Sequence, residues 1–206
     1  MHNKVVIKKT ADYPVNRWSG GRTTELYIDP AEASYLKREF SWRLSTATVE
    51  ADQSTFSALP GVDRILVLLE GNVTLVHQEQ YQKELKPYEQ DTFDGGWTTT
   101  SYGRAVDFNL MTRNEYRGTV AYLPLEKQET RTLLDEPPAR MKLSAQVIYL
   151  HQGTVRVTLD GPEMVLNPKE LCCIHNPDAT VSFTVANVGP GKANCLVTRI
   201  YQPIGS

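Results

Sequence analysis

Arginines with small polar neighbours in the first half of the sequence could bind an anion. Arg43 shares one face of an alternating segment with Ser45 and Ala47, because side chains two positions apart point the same way along a strand. A guanidinium beside small side chains is either a solvated charge or a cation facing a cavity, and its fork of donors matches a carboxylate. Arg64, at the start of the most apolar segment of the chain, is a second cation of this kind.

Carboxylate and amide side chains lie on neighbouring segments. Asp107 and Asn109 share one face of the segment 105–111, and Glu25 follows a glycine pair. Taken singly, each of these residues is more often structural, as a solvated charge or a member of a buried ion pair. Together, two arginines and two carboxylates on strands that a barrel would bring close predict a polar-lined barrel mouth.

The histidine pattern gives no support for a metal site. No His-x-His or His-x-x-x-His spacing occurs among the four histidines, which are His2, His77, His151 and His175. A site assembled from distant residues stays open. No nucleophile elbow, phosphate-binding glycine loop or dinucleotide fingerprint is present either. We therefore predict no catalytic residue, no metal ligand and no cofactor.

The elements that must position these side chains have the pattern of short strands. Strand-length runs separated by turn signals roughly every 8–12 residues are typical of a sandwich or barrel, and no long amphipathic helix is evident. The fold class predicted is all-β. Residues 4–9 are predicted to form an edge strand, and 31–38 one or two helical turns. In the segment 23–28, alternation predicts two faces: Thr24, Leu26 and Ile28 on one, and Thr23, Glu25 and Tyr27 on the other.

A short repeat links the two halves of the chain. The apolar run 65–69 leads to Gly71 and the run 147–150 leads to Gly153, and each glycine begins the pattern Gly-x-Val-x-(Leu/Val). The glycines are 82 residues apart (153 − 71), which predicts two related β-units in one chain. The charged segment 126–140, with two adjacent prolines, is predicted to be a surface connection between them.

Composition and charge restrict the function classes. A formal net charge of −2 gives no electrostatic case for binding nucleic acid or an acidic membrane. No apolar run approaches the roughly 20 residues of a membrane span, and the N-terminus has too short an apolar core for a signal peptide. Three cysteines, two of them adjacent, are a poor disulfide framework and predict buried side chains in a reducing cytoplasm.

Four motifs in order resemble the HutD/Ves family. Trp-Ser-Gly-Gly-Arg-Thr-Thr-Glu-Leu at 18–26 is similar to the glycine-rich opening of the family, and Phe-Ser-Trp-Arg-Leu-Ser-Thr-Ala at 40–47 to its Phe-x-Trp-Arg strand. Phe-Ser-x-x-Pro-Gly-x-Asp-Arg at 56–64 and Asp-Phe-Asn-Leu-Met-Thr-Arg at 107–113 resemble two further family elements. The glycine loop departs from many relatives in carrying Arg22, so ligand identity does not follow from the resemblance.

The resemblance implies a bicupin, with an N-terminal cupin barrel over 1–122 and a C-terminal cupin-like barrel over 123–206. It implies a small carboxylate-bearing ligand in the first barrel, such as formylglutamate or urocanate from histidine degradation, and a regulatory, flux-moderating role. Other members are known only as stress-associated. A homodimer is compatible with this picture. By motif and strand face, the predicted ligand-binding residues are Trp18, Thr24, Glu25, Arg43, Ser45, Arg64, Asp107 and Asn109.

Two other function classes remain as alternatives. A cupin-type enzyme acting on a small organic acid would be a metal-dependent oxygenase, disfavoured by the histidine pattern, or an isomerase with Glu25 or Asp107 as base. A structural or partner-binding protein would use the segment 126–140 as its surface. Arginines engaged only in internal ion pairs would favour the latter.

Overall fold

The computed structural model describes residues 4–134, 136–159, 161–177 and 183–205, and there the chain is almost entirely β-structure. In chain order the strands are β1 (Lys4–Lys8), β2 (Val15–Trp18), β3 (Gly21–Asp29), β4 (Trp42–Val49), β5 (Gln53–Thr55), β6 (Val62–Gly71), β7 (Val73–His77), β8 (Tyr81–Leu85), β9 (Gln90–Asp94), β10 (Thr99–Tyr102), β11 (Ala105–Arg113), β12 (Arg117–Leu125), β13 (Thr130–Thr132), β14 (Met141–Gln152), β15 (Val155–Leu159), β16 (Glu163–Leu166), β17 (Leu171–His175), β18 (Phe183–Asn187) and β19 (Ala193–Pro203). A 3-10 turn covers Thr10–Asp12. Within these ranges no helix has the length and apolar character needed to cross a membrane.

The chain divides into two compact units, and each contains two sheets. Residues 13–117 form the first barrel unit, and residues from 118 onward form the second together with the N-terminal strand. The first unit has sheets ordered β2-β3-β4-β11-β6-β9 and β5-β10-β7-β8. The second has β1-β17-β14-β19-β12 and β13-β18-β15-β16. The prediction of an all-β chain with two barrels is confirmed.

The strand orders show that the two units are repeats of one plan. Strands β4 to β11 of the first unit correspond one by one to β12 to β19 of the second, since β4-β11-β6-β9 matches β12-β19-β14-β17 and the smaller sheets match likewise. Register shifts also correspond. β6 carries its extra residue at Leu69 opposite β11, and β14 carries one at His151 opposite β19, again 82 positions later. The repeat interpreted from two glycines is therefore confirmed.

Each of the two glycines makes a turn that a side chain would obstruct. Gly71 has a φ of 91° and Gly153 a φ of 94°, a region that residues with a Cβ rarely adopt. A Cβ on Gly71 would overlap the Arg104 carbonyl oxygen, and one on Gly153 would lie 2.7 Å from the Ala193 Cα. Each turn must therefore pass close to the neighbouring strand, which explains why glycine stands at both positions.

The unit boundaries differ from the predicted ranges 1–122 and 123–206. The N-terminal strand β1 pairs antiparallel with β17, with Ile7 opposite Cys172, so the start of the chain completes a sheet of the second unit. The predicted edge strand is confirmed, but its sheet lies in the other half. The segment 126–140 also differs from a plain surface connection, since it contains β13, which pairs with β18.

Two local predictions in the first unit are wrong. The segment 31–38 forms successive turns, with Arg38 at a φ of 58°, and no helix. The alternation in β3 is interrupted by a register shift between Glu25 and Tyr27, so the inward and outward faces exchange at that point. Tyr27 consequently stacks on Trp42, with ring centroids 5.0 Å apart.

The cores are apolar and include the cysteines. In the second unit Cys172 and Cys195 lie in a cluster of buried apolar side chains, and Cys173 is also buried and forms no disulfide. Burial raises the pKa of the Cys172 and Cys195 thiols to about 12, so they remain protonated and unreactive. The prediction of inert, buried cysteines is confirmed.

Candidate functional site

A cavity of about 460 Å³ opens in the first barrel unit. Its wall is the inner face of the six-stranded sheet, and segments around residues 16–18, 35–36 and 54–57 surround its mouth. The sequence prediction of a polar-lined barrel interior thus corresponds to a real cavity. Six of the eight predicted site residues line it, namely Trp18, Arg43, Ser45, Arg64, Asp107 and Asn109.

Strand register places the polar side chains in adjacent rows. Across β4, β11 and β6, the paired inward residues are Arg43, Met111 and Arg64 in one row, Ser45, Asn109 and Leu66 in the next, and Ala47, Asp107 and Leu68 in the third. The predicted faces of β4 and β11 are confirmed, because residues two apart share a face. The polar groups come from alternate positions of strands whose other face is apolar.

Arg43 is engaged within the protein. Its Nε donates to Glu25 Oε2 at 2.7 Å, and its Nη1 donates to Ser45 Oγ at 3.1 Å. The Tyr35 ring covers the guanidinium, with its centroid 4.2 Å from Cζ, close enough for a cation–π contact. Glu25 does not line the cavity itself, but it neutralises Arg43. Arg43 therefore contributes mainly to the shape of the cavity wall and less to its positive charge.

Arg64 is a buried cation of the cavity wall that forms no close ion pair with a described residue. Its side chain is 7% exposed, its Nε has no hydrogen-bond partner among the described residues, and the ion pairs of that part of the chain do not include it. Its guanidinium lies between aromatic rings, with Cζ 4.8 Å from the centroid of Phe56 and 5.1 Å from that of Phe93. Burial lowers the pKa of Arg64 to about 10, against the opposing charge of Asp107, so Arg64 is still charged at neutral pH.

Asp107 and Asn109 add an acid and an acceptor beside this cation. Asp107 is 6% exposed, and burial raises its pKa to about 7, although the charge of Arg64 and a backbone hydrogen bond from Ala47 oppose the shift. Asn109 is also buried, and its Oδ1 has no hydrogen-bond partner within the described chain. The wall therefore presents an unpaired donor, an unpaired acceptor and a carboxyl group that titrates near neutrality.

The glycine pair positions Trp18 at the mouth. The Trp18 ring packs directly on Gly20, where a Cβ would overlap its Cζ3, and its Nε1 donates to Thr23 Oγ1 at 3.2 Å. Thr23, not the predicted Thr24, lines the cavity. Thr24 lies on the opposite face of β3, since neighbouring strand residues point to opposite sides.

Sequence reasoning missed three aromatic residues of the site. Tyr35 covers Arg43 from a segment predicted as helical, and only the structure shows that its turns reach the cavity. Phe56 stands in one of the family-like motifs, and Phe93 follows Asp91 on β9 with an ordinary alternating pattern. Cation–π packing leaves no spacing signature in a sequence, because the partners come from different strands.

A buried polar cluster around His77 is separate from the cavity lining. His77 contacts Thr99 Oγ1 through Nδ1 at 2.8 Å and Asp91 Oδ2 through Nε2 at 3.0 Å, which ties three strands together. Asp91 also accepts from Tyr81, and burial raises the pKa of Tyr81 to about 12. Across the described ranges no group of three or more His, Cys, Asp or Glu side chains is placed to hold a metal ion.

Alanine at each glycine of the pair is expected to have a different effect. Gly21→Ala should lower the free energy of unfolding by roughly 2–4 kcal/mol, because its Cβ would overlap the backbone carbonyl of Thr48. Gly20→Ala should cost less than about 1 kcal/mol, since the half-exposed Trp18 ring can move away. Urea unfolding measures both. Equal losses would contradict the tight packing at Gly21.

Removing one member of the Arg43–Glu25 pair should destabilise the first unit. We expect Arg43→Met to lower the free energy of unfolding by about 1–3 kcal/mol at neutral pH, because Glu25 is only 24% exposed at its side chain. Adding Glu25→Gln should restore most of the loss. The matched control is Arg104→Met, whose partner Asp52 is exposed and whose loss should stay within about 0.5 kcal/mol. No recovery in the double variant would contradict the pairing.

The family is decided by comparison with known proteins. A family model described as HutD matches residues 10–191. The chain belongs to the HutD family. The chain is also 36% identical over 109 residues to Protein Ves of Cronobacter sakazakii, and 37% identical over 109 residues to Protein Ves of Citrobacter koseri. These matches cover 50% of this HutD-family chain and 57% and 54% of the Ves proteins, so the chain spans about half the length of the curated relatives it matches.

Solved structures confirm the fold of this HutD-family chain. A conserved protein of unknown function from Pseudomonas aeruginosa superposes with a TM-score of 0.80 at 21% identity, covering 96% of this chain and 98% of that one. HutD from Pseudomonas fluorescens superposes with a TM-score of 0.72 at 19% identity, covering 97% of this chain and 99% of that one. Bacillus subtilis oxalate decarboxylase superposes with a TM-score of 0.69 at 7% identity, covering 94% of this chain and 76% of that one. At such identities the likeness shows the fold alone, which is the predicted bicupin.

Proposed function

We propose that the first barrel unit binds a small carboxylate-bearing metabolite, with its carboxylate on Arg64. The observation that carries the proposal is a buried guanidinium that faces a cavity, forms no close ion pair with a described residue and leaves its Nε without a hydrogen-bond partner among them. A charge removed from water without a partner lowers stability. A ligand carboxylate would supply the missing hydrogen bonds, in the two-pronged geometry that suits arginine.

The rest of the wall would fix the ligand's orientation. Asn109 Oδ1 would accept a hydrogen bond from a hydroxyl or N–H group of the ligand. Trp18 and Tyr35 would cover its apolar part at the mouth. Together these contacts support affinities in the micromolar to millimolar range, which suits a sensor of metabolite concentration.

Intermediates of histidine degradation are the candidate ligands to test first. The family name and the likeness to HutD from Pseudomonas fluorescens support formylglutamate and urocanate as members of the panel. We propose a regulatory, flux-moderating role in the cytoplasm for such binding. The three buried cysteines form no disulfide, which fits a reducing compartment.

A thermal-shift panel tests the proposal. Formylglutamate, urocanate, acetate, succinate and glutarate are compared with their neutral amides in wild-type protein and in Arg64→Met. At least one acid should raise the melting temperature of the wild type, its amide should not, and the variant should show no shift. The matched control is Arg104→Met, an exposed arginine that should behave as wild type. If every acid failed, or if Arg64→Met responded normally, the carboxylate site would be excluded.

An isomerase is the second candidate function, and Asp107 is the observation that favours it. A carboxyl group with a pKa of about 7 is suited to accept a proton from a carbon next to a carboxylate or carbonyl and return it to another carbon. Glu25, the other candidate base, is already bound to Arg43. Incubation of each panel acid with the protein in deuterium oxide, followed by NMR, would reveal exchange or a new isomer. Unchanged spectra would exclude this activity for those acids.

A further inference from the structure

We propose that the first barrel unit takes up a carboxylate and a proton together, with the carboxylate on Arg64 and the proton on Asp107. The inference rests on the proposed function, since it concerns the same cavity. It adds a coupling that the family resemblance does not supply: binding of the acid would be linked to pH through one carboxyl group of the wall.

The two groups share one wall but do not form a close pair. Arg64 and Asp107 both line the cavity, in the first and third rows of inward residues, and Asn109 lies in the row between them. Within the described residues no ion pair shorter than 4.0 Å joins Arg64 to a carboxylate. Each of the two charges nevertheless affects the pKa of the other, so an anion bound to Arg64 would also act electrostatically on Asp107.

With an anion bound on Arg64, the charges around Asp107 balance only when Asp107 is protonated. On β4 and β3, Arg43 and Glu25 neutralise one another, and the Tyr35 ring covers Arg43. On β6 the facing charge is Arg64. Asp107 also lines a small neighbouring void with Val49, Phe56, Val73, Leu75 and Ser101, none of which is charged. A ligand carboxylate beside an ionised Asp107 would place two negative charges against Arg64, because Arg43 is already paired and Arg17, the further arginine of the cavity lining, is exposed to solvent.

Like charges in a buried site are costly, so one of the two acids must be neutral. Asp107 is the group that changes, because burial has already raised its pKa to about 7. A bound anion raises it further, which is equivalent to proton uptake on binding. The alternative is that Asp107 stays ionised as the counter-ion of Arg64, in which case an external anion would bind equally well at every pH, or not at all.

Trifluoroacetate is a suitable probe, because it is a strong acid and remains a single anion throughout the range tested. Fluorine NMR follows its dissociation constant between about pH 5.5 and about pH 8.5. For one linked proton, affinity should weaken by about tenfold per pH unit once the pH exceeds the pKa of Asp107. Below that pKa the affinity should level off.

Two carboxylate variants identify the group responsible. Asp107→Asn should bind trifluoroacetate with an affinity that is flat across the range and close to that of the wild type at low pH. Asp63→Asn changes an exposed acid on the neighbouring strand β6, and should keep the full pH dependence. Persistence of the slope in Asp107→Asn would overturn the assignment and direct attention to His77, the buried histidine of the first unit.

The outcomes separate the coupling from the proposed function. Binding that disappears in Arg64→Met but is independent of pH in the wild type would overturn proton coupling and leave the carboxylate site intact. Absence of binding at every pH would refute both. A slope that Asp107→Asn abolishes, with binding that Arg64→Met abolishes, is the result expected.

Discussion

Replacing Arg64 with methionine should abolish carboxylate binding while leaving the protein as stable as before or more so. The side chain is buried without a close ion pair among the described residues, and methionine fills a similar volume without the cost of desolvating a charge. Loss of the cation–π contacts with Phe56 and Phe93 offsets part of the gain. We expect a net increase of about 1 kcal/mol in the free energy of unfolding, measured by urea denaturation.

This prediction is distinctive because one substitution, Arg64→Met, should raise the free energy of unfolding and abolish carboxylate binding. A residue retained for structure would cost stability when replaced, whereas one retained for a ligand need not. Gly95, where a Cβ would lie 3.2 Å from the Arg64 Cδ, shows that the wall accommodates this long stem. A loss of more than about 2 kcal/mol in Arg64→Met, with carboxylate binding unchanged, would assign Arg64 a purely structural role.

Asp107→Asn should stabilise the protein at alkaline pH and have little effect at acidic pH. The folded-state pKa of Asp107, about 7, lies above its ordinary value of 3.8 because of burial. The folded protein therefore holds the proton more tightly than the unfolded chain, and stability falls as pH rises from the ordinary value toward 7. Between about pH 5 and about pH 8 the wild type should lose roughly 2–3 kcal/mol more than the variant.

Urea denaturation of both proteins at these two pH values measures the difference, because other titrating groups cancel between them. Asp63→Asn, at an exposed position on the neighbouring strand β6, is the control and should follow the wild-type pH profile. A variant whose advantage is the same at both pH values would show that Asp107 titrates normally. It would also remove the physical basis for proton-coupled binding.

The sequence located most of the site because alternation is a local property of strands. Inward-facing Arg43, Ser45, Asp107 and Asn109 follow from residues two apart sharing a face, and their strands are uninterrupted at those positions. Two repeated glycines likewise indicated the duplicated units. They mark turns whose backbone conformation is difficult for other residues.

The failures come from long-range pairing, which leaves no local pattern. Thr24 was predicted in place of Thr23, and the bulge farther along β3 exchanged the predicted faces of Tyr27 and Ile28. The pairing of β1 with β17 joins residues more than 160 positions apart, so no neighbouring segment indicates it. The cover of Tyr35 over Arg43 depends on turns that a propensity argument interprets as helical.

The repeat also shows how the units differ in chemistry. The position equivalent to Arg64 in the second unit is Gln146, 82 residues later (64 + 82 = 146), and it is likewise buried. The turn glycines and the bulge were kept in both units, while the charge at this position was not. The plan of the barrel is therefore independent of the cationic site, as expected when function depends on side chains placed on a common fold.

The Nε–H group of Arg64 offers the most direct test of carboxylate binding in the first barrel unit. Two-dimensional NMR of the arginine Nε–H groups, with the Arg64 signal assigned by its disappearance in Arg64→Met, is recorded while trifluoroacetate is added at about pH 6. The Arg64 signal should move to saturation, and that of Arg104, bound to exposed Asp52, should stay in place. A stationary Arg64 signal at saturating probe would contradict the proposed site.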